Sequence, residues 1–462
     1  MRAKTGTGLT EGALTPAILR FALPLVATSL LQLVFNTADT VMVGRWGGAT
    51  PEASAAEMAA VGSCTSLINL FVNFFLGLSV GCGICLAQEI AADREEEARS
   101  TLRTALTSGS LLGLFVALVG AVVARPILLT MGTDPSLLPS AVAYLRTYLI
   151  GMPALVTYHF AASALRARGD TLRPMLFLSI GGVANVLFNG VAVIGLRMGA
   201  MGVGLATALS QWISLALILL YTVRGGSLDI RALGIEKAAL FRILRAGLPA
   251  GLQSILFNFS ALLLQSAVNG FGPITVAGNT AAMNVEGYLY TTQNALYHTV
   301  MTFVAANCAK KSRQRVRGAI LGSALTVAVI GLSLGLGVLL LREPILSLYA
   351  PDAEEAVRAG AIRLLAVCPF YFLCGLMEVG TGALRGLGRS VLPTVTSLLG
   401  CCLLRILWIP TVFRWAQGAL STEASLFVLY LCFPLSWLLT AAVQHGLVAR
   451  ELRRARVSGA LF

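Results

Sequence analysis

The sequence predicts an all-α polytopic membrane protein with twelve transmembrane helices in two parallel six-helix repeats. Three observations predict it. First, hydrophobic residues make up 56% and charged residues 12% of the 462 positions, with a mean hydropathy of +0.80, far from the mix of a soluble domain. Second, Lys and Arg collect on alternate loops. Third, the two halves of the chain share short motifs at a nearly constant offset.

Apolar runs long enough to cross roughly 30 Å of hydrocarbon lie near 16–44, 56–88, 101–124, 137–165, 174–195 and 201–223, then 246–270, 275–308, 317–341, 357–384, 393–413 and 423–449. The first twenty residues contain Arg2, Lys4, Glu11 and Arg20 and no cleavage-site pattern, so the first span is expected to serve as its own insertion signal. That span sets the central question. Phe21 to Ala38 carry no charge, and then Asp39 appears before Val41, Met42 and Val43. A carboxylate at that depth costs at least a few kcal/mol, which marks a functional group facing protein or water.

Charge fixes the orientation. One side of the predicted membrane holds the N-terminal basic residues, Arg94, Arg99, Arg103, Arg166, Arg168, Arg173 and the central loop Arg224, Arg231, Lys237, Arg242, Arg245. The same side holds Lys310 to Arg317, Arg385, Arg389 and the tail Arg450 to Arg456, whereas the other holds Arg45, Arg125, Arg197, Arg342, Arg358, Arg363 and Arg414. The positive-inside rule therefore makes both termini cytoplasmic. It also accounts for the net charge of +13 without a nucleic-acid partner. The nine cysteines lie mostly in apolar runs; Cys82-x-x-Cys85, with no second pair or His cluster, reads as packing rather than a metal site.

Leu19-Arg20-Phe21-Ala22-Leu23-Pro24 matches Leu244-Arg245-Ala246-Gly247-Leu248-Pro249, and Arg125-Pro126-Ile127-Leu128-Leu129 matches Arg342-Glu343-Pro344-Ile345-Leu346. Ala164-Leu165-Arg166-x-x-Gly169-x-x-x-x-Pro174 repeats as Ala383-Leu384-Arg385-x-x-Gly388-x-x-x-x-Pro393, and the three offsets are 225, 218 and 219 residues. Six spans return the chain to its starting side, so the repeats are parallel. The expected domains are an N-terminal lobe over 1–223, a cytoplasmic linker over 224–245 and a C-terminal lobe with a basic tail over 246–462. Two such lobes fit alternating access better than a channel or an enzyme. No G-x-x-x-x-G-K-[ST] loop, HExxH helix or nucleophile elbow is present, which argues against nucleotide hydrolysis or hydrolase chemistry in this chain.

These residues carry a family resemblance. Pro24 with Asp39-Thr40-Val41-Met42-Val43-Gly44, the paired A-L-R-x-x-G-x-x-x-x-P loops, Gly202-Val203-Gly204-Leu205-Ala206-Thr207 and Met377-Glu378-Val379-Gly380 resemble the multidrug and toxic compound extrusion (MATE) family. The likeness covers nearly the whole length. It departs after span 2, at Ala91-Ala92, and after span 8, at Asn307-Cys308-Ala309-Lys310, where relatives carry a glycine. The resemblance implies a V-shaped pair of lobes, location in the plasma membrane (the bacterial inner membrane), a monomer among membrane lipids, and export of small cationic amphipathic substrates by antiport. The expected coupling ion is H⁺, with Na⁺ as second choice, and no cofactor is expected. A lipid-intermediate or polysaccharide flippase on the same scaffold is the alternative.

The resemblance further implies that Asp39, Asn185, Asn189 and Thr207 converge in the N-terminal lobe as the cation or proton site. Asn185 and Asn189 are four apart and share a helix face. Burial disfavours the charged form of a carboxylate, so one such group suffices for proton exchange. A hard cation needs several oxygen ligands, and Asn189 stands where many relatives carry Asp, which weakens Na⁺. In the C-terminal lobe Glu286, Glu378 and Arg405 lie in spans. Arg405 is expected to pair with one of the two glutamates and leave the other for a cationic substrate. Tyr288 and Met283, with Phe257, Phe259, Tyr290, Tyr297 and Met301, are the candidate pocket wall. Pro24, Pro153, Pro249 and Pro369 recur in pairs and are expected to kink their helices. Counting from Pro249, the position matching Asp39 is Leu264.

Overall fold

Helices form at all twelve predicted positions. The structure, a computed structural model, describes residues 8–225, 234–349 and 353–457. The helices are α1 (Leu14–Trp46), α2 (Pro51–Ala91), α3 (Glu95–Thr130), α4 (Leu138–Leu149 continuing as Met152–Ala167), α5 (Leu172–Gly195) and α6 (Gly199–Arg224). The second series is α7 (Lys237–Asn269), α8 (Pro273–Ala309), α9 (Arg313–Leu340), α10 (Glu354–Gly386), α11 (Val391–Ala419) and α12 (Thr422–Arg454). Ten of these are long and apolar enough to cross a membrane, and the bent pair in α4 makes an eleventh. The remaining one, α8, has 37 residues, which is ample length; Asn279, Glu286, Gln293 and Asn307 make it too polar. Those side chains are buried, so α8 hides its polar face inside the protein.

The matched prolines act differently from one another. Pro153 opens the second half of α4, which bends by 43° from the first, and Pro369 lies in a single 3₁₀ turn, Cys368–Phe370, that interrupts α10. Pro24 and Pro249 lie inside continuous helices. There each proline lacks the N–H that would reach the carbonyl four residues earlier, at Arg20 and Arg245; separately, the Pro24 carbonyl accepts the Thr28 hydroxyl at 2.7 Å. Wider π-helical turns occupy Gly190–Gly195 at the end of α5 and Ile409–Phe413 in α11, positions that correspond across the repeat.

The paired motif loops are helix stops. Gly169 and Gly388 have φ of +86° and +77°. Asp170 N–H reaches back to the Leu165 carbonyl at 3.0 Å, and Arg389 N–H to that of Leu384 at 2.9 Å, the six-to-one bond of a Schellman cap. The same cap ends α2 and α8 through Arg94 to Glu89 and Ser312 to Asn307, both 2.9 Å. Here Asp93 (φ +60°) and Lys311 (φ +54°) take the left-handed position, which explains how the chain stops these helices without the usual glycine.

Spatial grouping divides the chain into two compact units, Pro24–Gly251 and Met1–Leu23 with Leu252–Phe462. The expected boundaries at 223/224 and 245/246 differ from these, and linker residues 226–233 lie outside the described residues. The first ten residues of α1 pack in the second unit: Ile18 is fully buried, and Phe21 meets Phe303 edge-on at 5.6 Å. Arg315 donates to the carbonyls of Gly12 and Glu11 at 2.8 and 3.1 Å. Reciprocally, the start of α7 packs in the first unit, where Arg242 meets Glu89 at 3.3 Å and Gly81 faces Gly247 so closely that a Cβ on Gly81 would lie 2.5 Å from the Gly247 nitrogen.

The two kinds of cap give opposite expectations. A Cβ at Gly388 meets nothing within 4 Å, so Gly388→Ala should cost only the left-handed backbone strain, about 1–2 kcal/mol. Lys311→Gly should relieve strain and raise stability by up to about 1 kcal/mol. Thermal unfolding of the purified variants checks both signs.

Candidate functional site

In the first unit three helices bring the four expected residues into one chain of contacts. Asn189 Nδ2 donates to Asp39 Oδ1 at 2.5 Å and to Asn185 Oδ1 at 3.4 Å. Asn185 Nδ2 in turn donates to the Thr207 hydroxyl at 3.3 Å, and that hydroxyl donates to the Val203 carbonyl at 2.9 Å. The i,i+4 spacing on α5 stacks the two amides, α1 supplies the carboxylate, and α6 supplies the hydroxyl. Asn185 and Asn189 are buried, while Asp39 and Thr207 are half-buried. Among the described residues no basic side chain lies within ion-pair distance of Asp39. Asn189 Oδ1 is buried and has no partner. The arrangement offers one carboxylate and several neutral oxygens, with nothing in it to hold the carboxylate permanently ionised.

The second unit corrects the expected pairing. Arg405 pairs with neither glutamate. Glu286 is gripped instead by Arg363, whose Nε and Nη2 donate to its two oxygens at 2.6 and 2.9 Å. Arg363 is buried and stands inside α10, not in an outer loop. Its Nη1 donates to Asn279 Oδ1 at 2.7 Å, which also accepts the Tyr430 hydroxyl at 2.9 Å. Asn279 Nδ2 continues to Gln265 Oε1 at 3.0 Å, so α7, α8, α10 and α12 share one hydrogen-bonded hub. Bidentate geometry and additional partners are what a buried ion pair requires to repay its desolvation. Glu286 is thereby structural.

Glu378 is the carboxylate left over. It is buried, and among the described residues nothing donates a hydrogen bond to it. Arg385, two turns along the same helix, donates elsewhere, to the Tyr297 hydroxyl and to Gln253 Oε1 at 2.7 Å. Arg405 donates Nε and Nη2 to the single Ser436 hydroxyl oxygen, both at 3.1 Å, and lies 4.4 Å from the centre of the Phe433 ring. Tyr288 and Met283 are 41% and 45% exposed on α8, as wall residues would be, whereas Tyr297 and Met301 are buried in the unit.

The family model described as MatE matches the chain twice, over residues 24–191 and 249–411. The chain belongs to the MATE family. The two matches begin at the matched prolines, one per repeat. Among relatives of this MATE protein, the probable multidrug resistance protein YoeA of Bacillus subtilis is 27% identical over 394 residues, covering 82% of each chain. The multidrug resistance protein PmpM of Pseudomonas aeruginosa is 29% identical over 397 residues, covering 82% of this chain and 80% of its own. A solved structure described as the outward-facing conformation of a multidrug resistance MATE family transporter superposes with a TM-score of 0.87 at 20% identity. It covers 98% of this chain and all of its own, and at that identity the likeness concerns the fold.

Arg363 is the residue the sequence reading missed. It comes five residues after Arg358 and nine after Glu354, and a charge so near an outer loop reads as solvated. The signal available was Glu286 itself: a mid-span carboxylate needs a partner, and Arg363 is nearly as deep in α10 as Glu286 is in α8.

Removing one side of that pair should be costly. Arg363→Met leaves Glu286 buried and unpaired and should lower stability by about 3–5 kcal/mol, whereas the double change Glu286→Met/Arg363→Met should lose far less. Unfolding in detergent, followed by tryptophan fluorescence, distinguishes the two.

Proposed function

We propose that this MATE protein is a secondary active exporter of small amphipathic organic cations and drugs, driven by inward flow of protons and working by alternating access. The names of the relatives support a drug-like cargo. The interior carboxylates support a positively charged one. The observation that carries the coupling role is the state of Asp39, a carboxylate in a membrane-spanning helix whose side-chain partners are neutral amides. Without a fixed counter-charge it needs a mobile one, and a proton is the least demanding. Bound in exchange for cargo, the ion need only disfavour the cargo-bound state, and the cargo the ion-bound state.

Na⁺ is the second reading, and one observation favours it: the unpartnered Asn189 Oδ1 is an oxygen that a cation beside Asp39 would recruit, together with Asn185 and Thr207. Glu378, which accepts no hydrogen bond among the described residues, is the proposed contact for the cationic part of the cargo. The charge asymmetry of the loops supports both termini in the cytoplasm and residence in the bacterial inner membrane, where a monomer contains the whole coupling site.

Transport into or out of proteoliposomes with H⁺ and Na⁺ gradients imposed separately tests this reading. A pH gradient alone should drive uphill movement of a fluorescent organic cation, and Asp39→Asn should abolish uphill movement while leaving dye binding within about threefold. Proton-driven accumulation that survives Asp39→Asn would sink the coupling role of this residue.

A further inference from the structure

The short helix Arg342–Tyr349 after α9 and the first turns of α10 enclose a cavity of about 520 Å³. Small-molecule sites are of that size, about 300–1,000 Å³. The cavity belongs wholly to the second unit and lies at the opposite end of α10 from Glu378 and Arg385. One stripe of α10 lines it. Glu354, Arg358, Ile362 and Leu365 face the cavity, three or four residues apart as a single helix face requires. Polarity falls along that stripe. The charged positions come first and the apolar ones follow, with Leu365 about 16 Å from Glu354 along the axis.

The short helix adds Arg342 and Glu343 to the lining, so two guanidiniums stand with two carboxylates and the site as a whole is neutral. These charges are weakly committed. Glu354 has no side-chain partner among the described residues. Arg358 meets Glu423 at 3.9 Å, with both largely exposed, and Arg342 meets Glu343 at 3.4 Å. Exposed pairs of this kind contribute about 0–1 kcal/mol, so a ligand's own phosphate and ammonium can replace them. A net anion would meet the carboxylates, a net cation the guanidiniums, and a plain hydrocarbon would strand all four charges. A zwitterion with an apolar body satisfies both ends of the cavity. Leu340, Leu341 and Leu348, neighbours of the charged residues in sequence, are exposed, Leu348 at 83%, which marks this rim as lipid-facing. Tyr349, also exposed, is a residue type of the membrane interface.

We propose that this cavity binds a zwitterionic phospholipid with a primary ammonium, a phosphatidylethanolamine. Its phosphate lies on Arg342 and Arg358, its ammonium on Glu354, and an acyl chain runs along Ile362 and Leu365. A primary ammonium donates three hydrogen bonds where a quaternary one donates none, so Glu354 selects phosphatidylethanolamine over phosphatidylcholine. The site needs neither the cargo nor the coupling ion.

Native mass spectrometry of the purified full-length protein provides the test. The probes are short-chain phosphatidylethanolamine, the matching phosphatidylcholine and phosphatidylglycerol, and O-phosphoethanolamine as the free headgroup. Wild type should hold phosphatidylethanolamine about ten- to a hundredfold more tightly than phosphatidylcholine, the range for hydrogen bonds to a charged group. Glu354→Gln should bring phosphatidylethanolamine down to the phosphatidylcholine level and leave phosphatidylcholine unchanged. Arg358→Gln should weaken both lipids alike, because both carry the phosphate. Both positions are exposed, so thermal unfolding of the lipid-free variants should match wild type. Equal affinity of wild type for the two lipids, or a preference that survives Glu354→Gln, overturns the proposal. Tighter binding of phosphatidylglycerol marks an anion site, and equal binding of free O-phosphoethanolamine marks a solute site; either result overturns it as well.

Discussion

A charge inside hydrocarbon must be neutralised, matched or wetted, and most of the interior of this protein is organised around that demand. Three solutions coexist. Glu286 and Arg363 close on each other and recruit Asn279, Tyr430 and Gln265, fixing four helices at one level. Asp39 is given amides that stabilise it without matching its charge. Arg405 is given a hydroxyl and a ring. The first solution is permanent and therefore architectural. The other two stay open, and an open site is what a protein that binds and releases ions or solutes requires.

Duplication supplied the frame in which these solutions diverged. The two repeats end corresponding helices with the same six-to-one caps and carry π-helical turns at corresponding places after Asn189 and Trp408. A π turn shifts the register of the helix beyond it, and such turns are frequent at functional sites. Yet Leu264, at the position matching Asp39, is a buried core residue. The backbone devices were kept in both halves, while the charged and polar side chains inside the spans differ between them.

The spans were legible because they depend on local periodicity, whereas the meeting of Asp39 and Thr207 with the two asparagines was legible only through the family resemblance. Eighteen apolar residues read as a span wherever they fold, and Asn185 and Asn189 share a face by helical geometry alone. The partnership of Arg363 was not legible, because it depends on the rotation of α10 about its axis relative to α8, and no spacing within either segment encodes that. The same ignorance made Glu286 and Glu378 interchangeable in sequence; only the direction in which Arg363 points separates a structural acid from a free one. The sequence reading did not set α8 apart from the other spans, although its polar residues are buried among its neighbours. The assignment of the first ten residues of α1 to the second unit also had no local signal, since the run Leu14–Leu23 is apolar in either surroundings.

That reciprocal exchange of helix ends sets an order of events during biosynthesis. The first unit lacks one of its packing elements until residues 237–251 have been made, well after its own six spans have been threaded. The opening stretch of the chain, in turn, has no partner until α8 and α9 follow. The first unit is therefore complete only once residue 251 has been made, after the first repeat has ended, and the second only when the last spans follow. A nascent chain halted after its sixth span would hold a first unit still lacking the start of α7, so the first repeat does not mature as a finished lobe on its own.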